Sequence, residues 1–393
     1  MNRLSRYLWL LAGCLFFAAC KETQKTNNIP TFDLQKDYPE QDVFIQDIAD
    51  VTYIPLETTD ESVLGVIGGV ICLNDTLVIS DSQQNKVFFF DRQGKYLSSF
   101  GHVGGGKTEY FFLHKLCVDP DRREILVYDS PTKSRIVVYD FAGNFIRELK
   151  LSEKISADGI YDYDKDYLLA YDVYMLEIPG EGAPNPYPYC LISKTTGEVT
   201  RLPLKVEKRK NNTFYYDAGN GNLMLSTIGM SPLIKKGDDA VISDFALDTI
   251  YRYANRVLEP IAIRQGGEGN MGLLSSMLVM SDLYYFLETS DVQVNPKSHQ
   301  IESSEDRLLM YDLKTGRVVS AQLRNKDIPQ RDNHAAFGMS DVVLPDNSIF
   351  SYYVPELLYR YDEQHQLFGE LKALMSRIDP ESNPVLMIAK CKE

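Results

Sequence analysis

Apolar residues in this chain come in short runs broken by polar turns, and many runs alternate at the period of a strand, not of a helix. The stretches TLVISDSQQNKVFFFDRQGKYLSSF (76–100), EILVYDSPTKSRIVVYDFAGNFIREL (124–149) and YLLAYD followed by YCLISKTTGEVTRLPL (167–204) repeat one plan. An apolar strand ends in Asp, a polar loop follows, then come a second apolar strand, a turn ending in glycine and an alternating strand. The turn glycines Gly94, Gly143, Gly197 and Gly316 stand 49, 54 and 119 residues apart, the last gap spanning two units. A block of about 50 residues built from antiparallel strands is the mark of a propeller or an array. Glycine at the turn supplies the positive φ that a tight hairpin needs.

Six units are counted, each with strands A to D from axis to rim. Their B strands are expected near 77–81, 125–129, 167–171, 222–226, 283–287 and 348–353, and C strands near 87–91, 136–140, 189–193, 249–253 and 308–312. The sixth unit lacks an adjacent C–D hairpin. In its place VPELLYRYDEQHQLFGELKALMSRI puts Leu357, Leu358, Tyr361, Phe368, Leu371 and Met375 near helical spacing, and NPVLMIAKC follows as a strand. VTYIPLE (51–57), unclaimed near the N-terminus, is assigned beside that last strand, because closing the ring with opposite chain ends removes exposed sheet edges. The expected fold is all-β: a six-bladed β-propeller of four-stranded antiparallel blades over residues 43–393, closed by N- and C-terminal strands, with one helical insert near the C-terminus.

The first residues change the picture of where the protein works. Arg3 and Arg6 precede an apolar run, 7–19, too short to span a bilayer but suited to a secretory signal. FAAC places Cys20 where a bacterial lipobox has its acylated cysteine, so residues 1–19 are expected as a lipoprotein signal peptide and 20–42 as a lipidated, polar tether. Two or three acyl chains anchor stably where one is marginal. A net charge of −14 disfavours nucleic acid and anionic headgroups as partners. Cys72, Cys117, Cys190 and Cys391 are scattered without a C-x-x-C pair, and Cys72 and Cys117 sit in apolar strand patterns, so free buried thiols are expected.

FGHVGGGKTEYFFLHKLCVDPDRREILVYDSPTKSRIVVYDFAGNFIREL resembles an NHL repeat, and YIPLETT, SDFALDTIYRY and NPVLMIAK resemble the six-bladed propeller lipoproteins common in Bacteroidetes. The family's glycine-rich segment usually reads G-R-x-G-x-G-P-G-E-Y; here His102 replaces the Arg and Lys107 the Pro. The resemblance implies a lipoprotein of the Gram-negative outer membrane, and a binding or scaffold module for a glycan, peptide or protein rather than an enzyme. Its alternative is a metal-dependent hydrolase or lyase at the axis, since some NHL-like enzymes hold zinc or calcium there with histidines and carboxylates. No spacing here matches a metal-ligand set, and no cofactor is expected.

GHVGGGKT (101–108) also satisfies the phosphate-loop pattern G-x-x-x-x-G-K-[ST]. That pattern binds phosphate only where a helix leaves the loop. Here KLCVDP, a strand, follows too soon, so the segment reads as a crossing between blades and no nucleotide is expected; RQGGEGNMG (264–272) reads as a similar loop. Strand polarity puts B–C loops and D–A crossings on one face. The long B–C loops 172–188, 227–248 and 288–307 and the helical insert make that the expected ligand face. His102, Lys107, His114, Arg264, His299 and His334 are its candidate ligand-binding residues.

Overall fold

The computed structural model describes residues 29–392, except 114, 130–134, 174–184, 211, 218–222, 268–271, 295–300 and 329–347. Six sheets form the blades of a propeller, and a two-stranded hairpin, Thr213–Asp217 with Leu223–Thr227, comes between the third and fourth in chain order. Blade 1 is Ile67–Cys72, Thr76–Asp81, Lys86–Asp91 and Tyr96–Phe100 as strands A to D. Blade 2 is Lys115–Asp119, Glu124–Tyr128, Arg135–Asp140 and Phe145–Lys150. Blade 3 is Ala157–Asp162, Tyr167–Asp172, Tyr189–Ser193 and Val199–Arg201.

Each apolar strand is buried on both faces, which is why runs such as KVFFFD are nearly continuous. In blade 1, Leu77, Ile79, Phe88 and Phe90 pack against blade 6, while Val78, Val87 and Phe89 pack against blade 2. Period-two alternation therefore divides every blade between two neighbours. Six apolar clusters result, one at each joint, including those between blades 5 and 6 and between blades 6 and 1.

The repeated aspartates hold the loops. At the end of strand B, Asp81, Asp129 and Asp172 accept from the backbone N–H of Gly65, Phe111 and Ser156, each in the crossing that enters the same blade. At the end of strand C, Asp91, Asp140 and Asp312 accept from N–H groups of the C–D turn. The turn glycines serve a second purpose besides φ of 76–85° at Gly94, Gly143 and Gly197. Each turn lies on the end of the preceding blade's D strand, and a Cβ would stand 2.2 Å from the Pro55 carbonyl oxygen at Gly94 and 2.2 Å from that of Lys150 at Gly197. Their own carbonyls accept the N–H of Glu57 and of Ser152. Gly197→Ala combines left-handed strain with this overlap, and about 3 kcal/mol of destabilisation is expected in a thermal or urea melt.

Ring closure follows the expected route. Ala49–Pro55 pairs antiparallel with Val385–Cys391, which pairs on its other edge with Ser348–Tyr353. Ile54 and Leu56 turn to the blade 1 joint and Tyr53 to the opposite one. Pro55 lies on the sheet's outer strand, where a missing N–H breaks no ladder. The helical insert is present as Pro355–Glu363 and Gly369–Leu374, with Leu358, Leu371 and Leu374 buried in the core between blades 5 and 6.

Three expectations are corrected. Residues 29–42 do not extend as tether: Thr31–Asp33 adds parallel to Val257–Gln265 as a fifth strand of blade 4, and Glu40–Phe44 adds parallel to Val318–Arg324 of blade 5. Phe32, Leu34 and Val43 are buried there. The segment straps the rims of blades 4 and 5 before reaching blade 6. The B strand expected at 222–226 belongs to the separate hairpin. Blade 4 instead takes Leu233–Lys236 and Asp239–Ile242 as strands A and B, then Thr249–Ala254 and Val257–Gln265. Its C–D turn uses Asn255 and Arg256 at positive φ, which is why no glycine marks it. Finally, the B–C loop expected at 227–248 contains two strands, Leu233–Lys236 and Asp239–Ile242, and the one expected at 288–307 is largely strand. The second is a long extension of Tyr284–Val294 and Ile301–Asp312 in blade 5. Cys72, Cys117, Cys190 and Cys391 are not joined to one another by disulfides, and all but Cys72 are buried.

Candidate functional site

The A strands of blades 1 to 4 line an open cavity of about 890 Å³ on the axial side of the ring. Blade 1 contributes bare backbone at Gly68 and Gly69 as well as side chains such as Ile71, Ser80 and Ser82. Ile71, Leu116 and Ile160 supply apolar surface from blades 1, 2 and 3. The cavity reaches the A–B turns through Pro120, Asp121, Asp164, Lys165, Gly237 and Asp238. Those turns lie on the face opposite the B–C loops.

Charges in the wall are mostly paired. Lys115 of blade 2 meets Asp158 of blade 3 at 3.3 Å, spanning the joint. Asp162 is held by Lys194, whose fully buried ammonium also donates to Asp119 at 2.7 Å. Burial raises the Asp162 carboxyl above its usual range, with Lys194 pulling the other way. Arg256 pairs with Asp164 at 2.6 Å and lies over the rings of Tyr163 and Tyr167. Lys235 has a 3.4 Å contact to the Tyr163 carbonyl and lies 5.7 Å from the centre of the Tyr163 ring, with no ion pair among the described residues, and burial lowers its pKa.

Of the candidate ligand-binding residues, His102, Lys107 and Arg264 are described, and each has a separate place. His102 stacks on Phe100 and Tyr139, and its Nε2–H donates to the Gly143 carbonyl at 2.7 Å. This is the turn latch of the other joints with a side chain in place of a backbone N–H. Arg264 is buried and spends its guanidinium on the carbonyls of Asp244, Leu247 and Ser275, tying blade 4 to the start of blade 5. Lys107 is exposed on its loop. His114, His299, His334 and Cys20 lie outside the described residues. Among the described residues no group of three His, Cys, Asp or Glu side chains is placed to hold a metal ion.

The phosphate-loop pattern has no phosphate-loop structure. Its N–H groups are directed inward: Gly104 N donates to the Tyr110 carbonyl, and Gly106 N donates to the Glu109 carboxylate at 2.8 Å. Arg135 and the Tyr139 hydroxyl fasten the carbonyls of Glu109 and Thr108. The next element is the strand Lys115–Asp119, not a helix.

A family model described as "Domain of unknown function (DUF4934)" matches residues 29–390, beginning where the rim strap begins. The chain belongs to this family. A Bacteroides fragilis protein described as exported is 16% identical, with 93% of this chain and 100% of that one covered at a TM-score of 0.64. A member of the DUF4221 family from Bacteroides vulgatus is 12% identical over 88% of this chain and 97% of that one, with a TM-score of 0.41. No curated protein matches the chain.

Proposed function

We propose that this chain is an exported, lipid-anchored binding module that seats a ligand, or the end of a larger glycan, peptide or protein, in its axial channel. The cavity carries this reading. Its volume of about 890 Å³ falls in the range of sites for small organic ligands, roughly 300–1,000 Å³. Its wall joins apolar side chains such as Ile71, Leu116 and Ile160 to charged ones, several of them held in ion pairs. A ring of blades packed at every joint is a rigid frame for such a site. Export and anchoring at Cys20 rest on the signal-like run 7–19 and the FAAC motif, with the description of the Bacteroides fragilis relative in support.

The test uses N-phenyl-1-naphthylamine, a neutral dye that brightens in apolar sites. Wild-type protein is expected to bind it saturably, and Ile71→Trp, which fills the channel from a half-buried position, is expected to weaken binding at least about tenfold with an unchanged melt. Binding that survives both Ile71→Trp and Leu116→Trp would place the dye elsewhere and end the channel reading. Anchoring is separate: the Cys20→Ser chain is expected in the soluble fraction, and equal retention on membranes would contradict acylation.

A further inference from the structure

One half-buried cation of the channel wall, Lys235, has no ion-pair partner among the described residues, although Asp162, Asp238 and Asp239 act on it from a distance. Lys235 projects from strand Leu233–Lys236 toward blade 3, and its neighbour Lys236 turns the other way, toward Asp282 of blade 5. Among the described residues no carboxylate lies within ion-pair distance of Lys235. The nearest acidic influence, Asp162, is already held by Lys194. Lys115 is matched by Asp158. Asp121, Lys165 and Asp238, also in the lining, lie at the exposed turns, where water screens them. A half-buried ammonium without its own counter-ion is unfavourable unless something supplies one. This lysine, moreover, belongs to a protein of net charge −14, whose field repels anions elsewhere.

We propose that the axial site is selective for amphiphiles with one anionic head, held by Lys235, and an apolar body laid along Ile71, Leu116 and Ile160. The proposal rests on the channel reading and narrows it. The head completes the ion pair that the protein leaves open, accepting from the Lys235 ammonium. The Tyr163 carbonyl, already a contact of that ammonium, orients it. The apolar body replaces water along the side chains that line blades 1 to 3. Asp162, Asp238 and Asp239 all act on Lys235 electrostatically and would oppose further negative charge, so a head with a single charge fits best.

Two dyes share one body and differ by the anion: 8-anilinonaphthalene-1-sulfonate and N-phenyl-1-naphthylamine. Wild-type protein is expected to bind the sulfonate at least about tenfold more tightly than the neutral dye. Lys235→Met should bring the two within about twofold by weakening only the sulfonate, and Lys235→Arg should retain the preference. Equal affinities in the wild type, or a preference that persists in Lys235→Met, would overturn the charge selection. The channel reading would then stand as long as Ile71→Trp still expels the neutral dye. Absence of binding by both dyes would overturn the two readings together. The wild-type comparison needs no variant, so a failure of Lys235→Met to fold does not shelter the proposal.

Discussion

Removing residues 384–393 is expected to leave a chain that cannot form a stable monomer. Val385–Cys391 is a central strand, hydrogen-bonded to Ser348–Tyr353 on one edge and Ala49–Pro55 on the other. Its side chains serve two joints at once. Val385, Met387, Ala389 and Cys391 enter the cluster between blades 5 and 6, while Leu386 and Ile388 enter the one between blades 6 and 1. Full burial of one large apolar side chain is worth about 1.5–3 kcal/mol. Losing several together, with both ladders, rivals a typical total stability of about 5–15 kcal/mol. The truncation also exposes two strand edges that can pair with other chains. Gel filtration should show aggregate, and circular dichroism no cooperative melt near the wild-type temperature. A monomer with an unchanged melt would mean that the ring does not close through this strand.

Deleting residues 29–44 is expected to have the next largest effect. The strap buries Phe32, Leu34 and Val43 and adds a parallel ladder to blade 4 and another to blade 5. Phe→Ala or Leu→Ala alone in such a site costs about 2–5 kcal/mol. A fall in melting temperature of roughly 10 °C or more is expected, given about 2–4 °C per kcal/mol in large domains. Deleting residues 21–28, polar in sequence, should leave the melt unchanged. Equal and small effects of the two deletions would show that the rim of blades 4 and 5 needs no fifth strand.

The contrast between these two segments explains what was legible. VTYIPLE could be placed because a seven-residue strand, Ala49–Pro55, carries enough alternation to declare its two faces, and because closure demanded a partner for NPVLMIAK. TFDLQ could not be placed, since the three-residue strand Thr31–Asp33 has one deeply buried side chain, Phe32, among polar ones. Blade 4 failed for a related reason. Its A and B strands, LIKK and DAVI, are four residues each, while the upstream segment NLMLST offers a more obvious run. The strand-end aspartates and turn glycines were visible as a repeat, but their bonds to entering crossings and to the preceding blade need the folded ring.

The channel was the least legible feature. Its wall takes a few residues from each of four A strands, with Gly68 and Arg256 far apart in sequence, so no local spacing announces it. Histidines drew attention because they are few and chemically versatile; His102 proves to be a joint latch. Lys235 sits inside an unremarkable LIKK, and only the arrangement of blades 3 and 4 leaves it without an ion pair among the described residues.

A crystal structure of the protein with bound N-phenyl-1-naphthylamine tests the central claim most directly. Density for the dye is expected on the axis, in contact with Ile71, Leu116 and Ile160, with the blades unmoved. Density confined to the long-loop face or the rim, with the axial cavity holding only solvent, would contradict it.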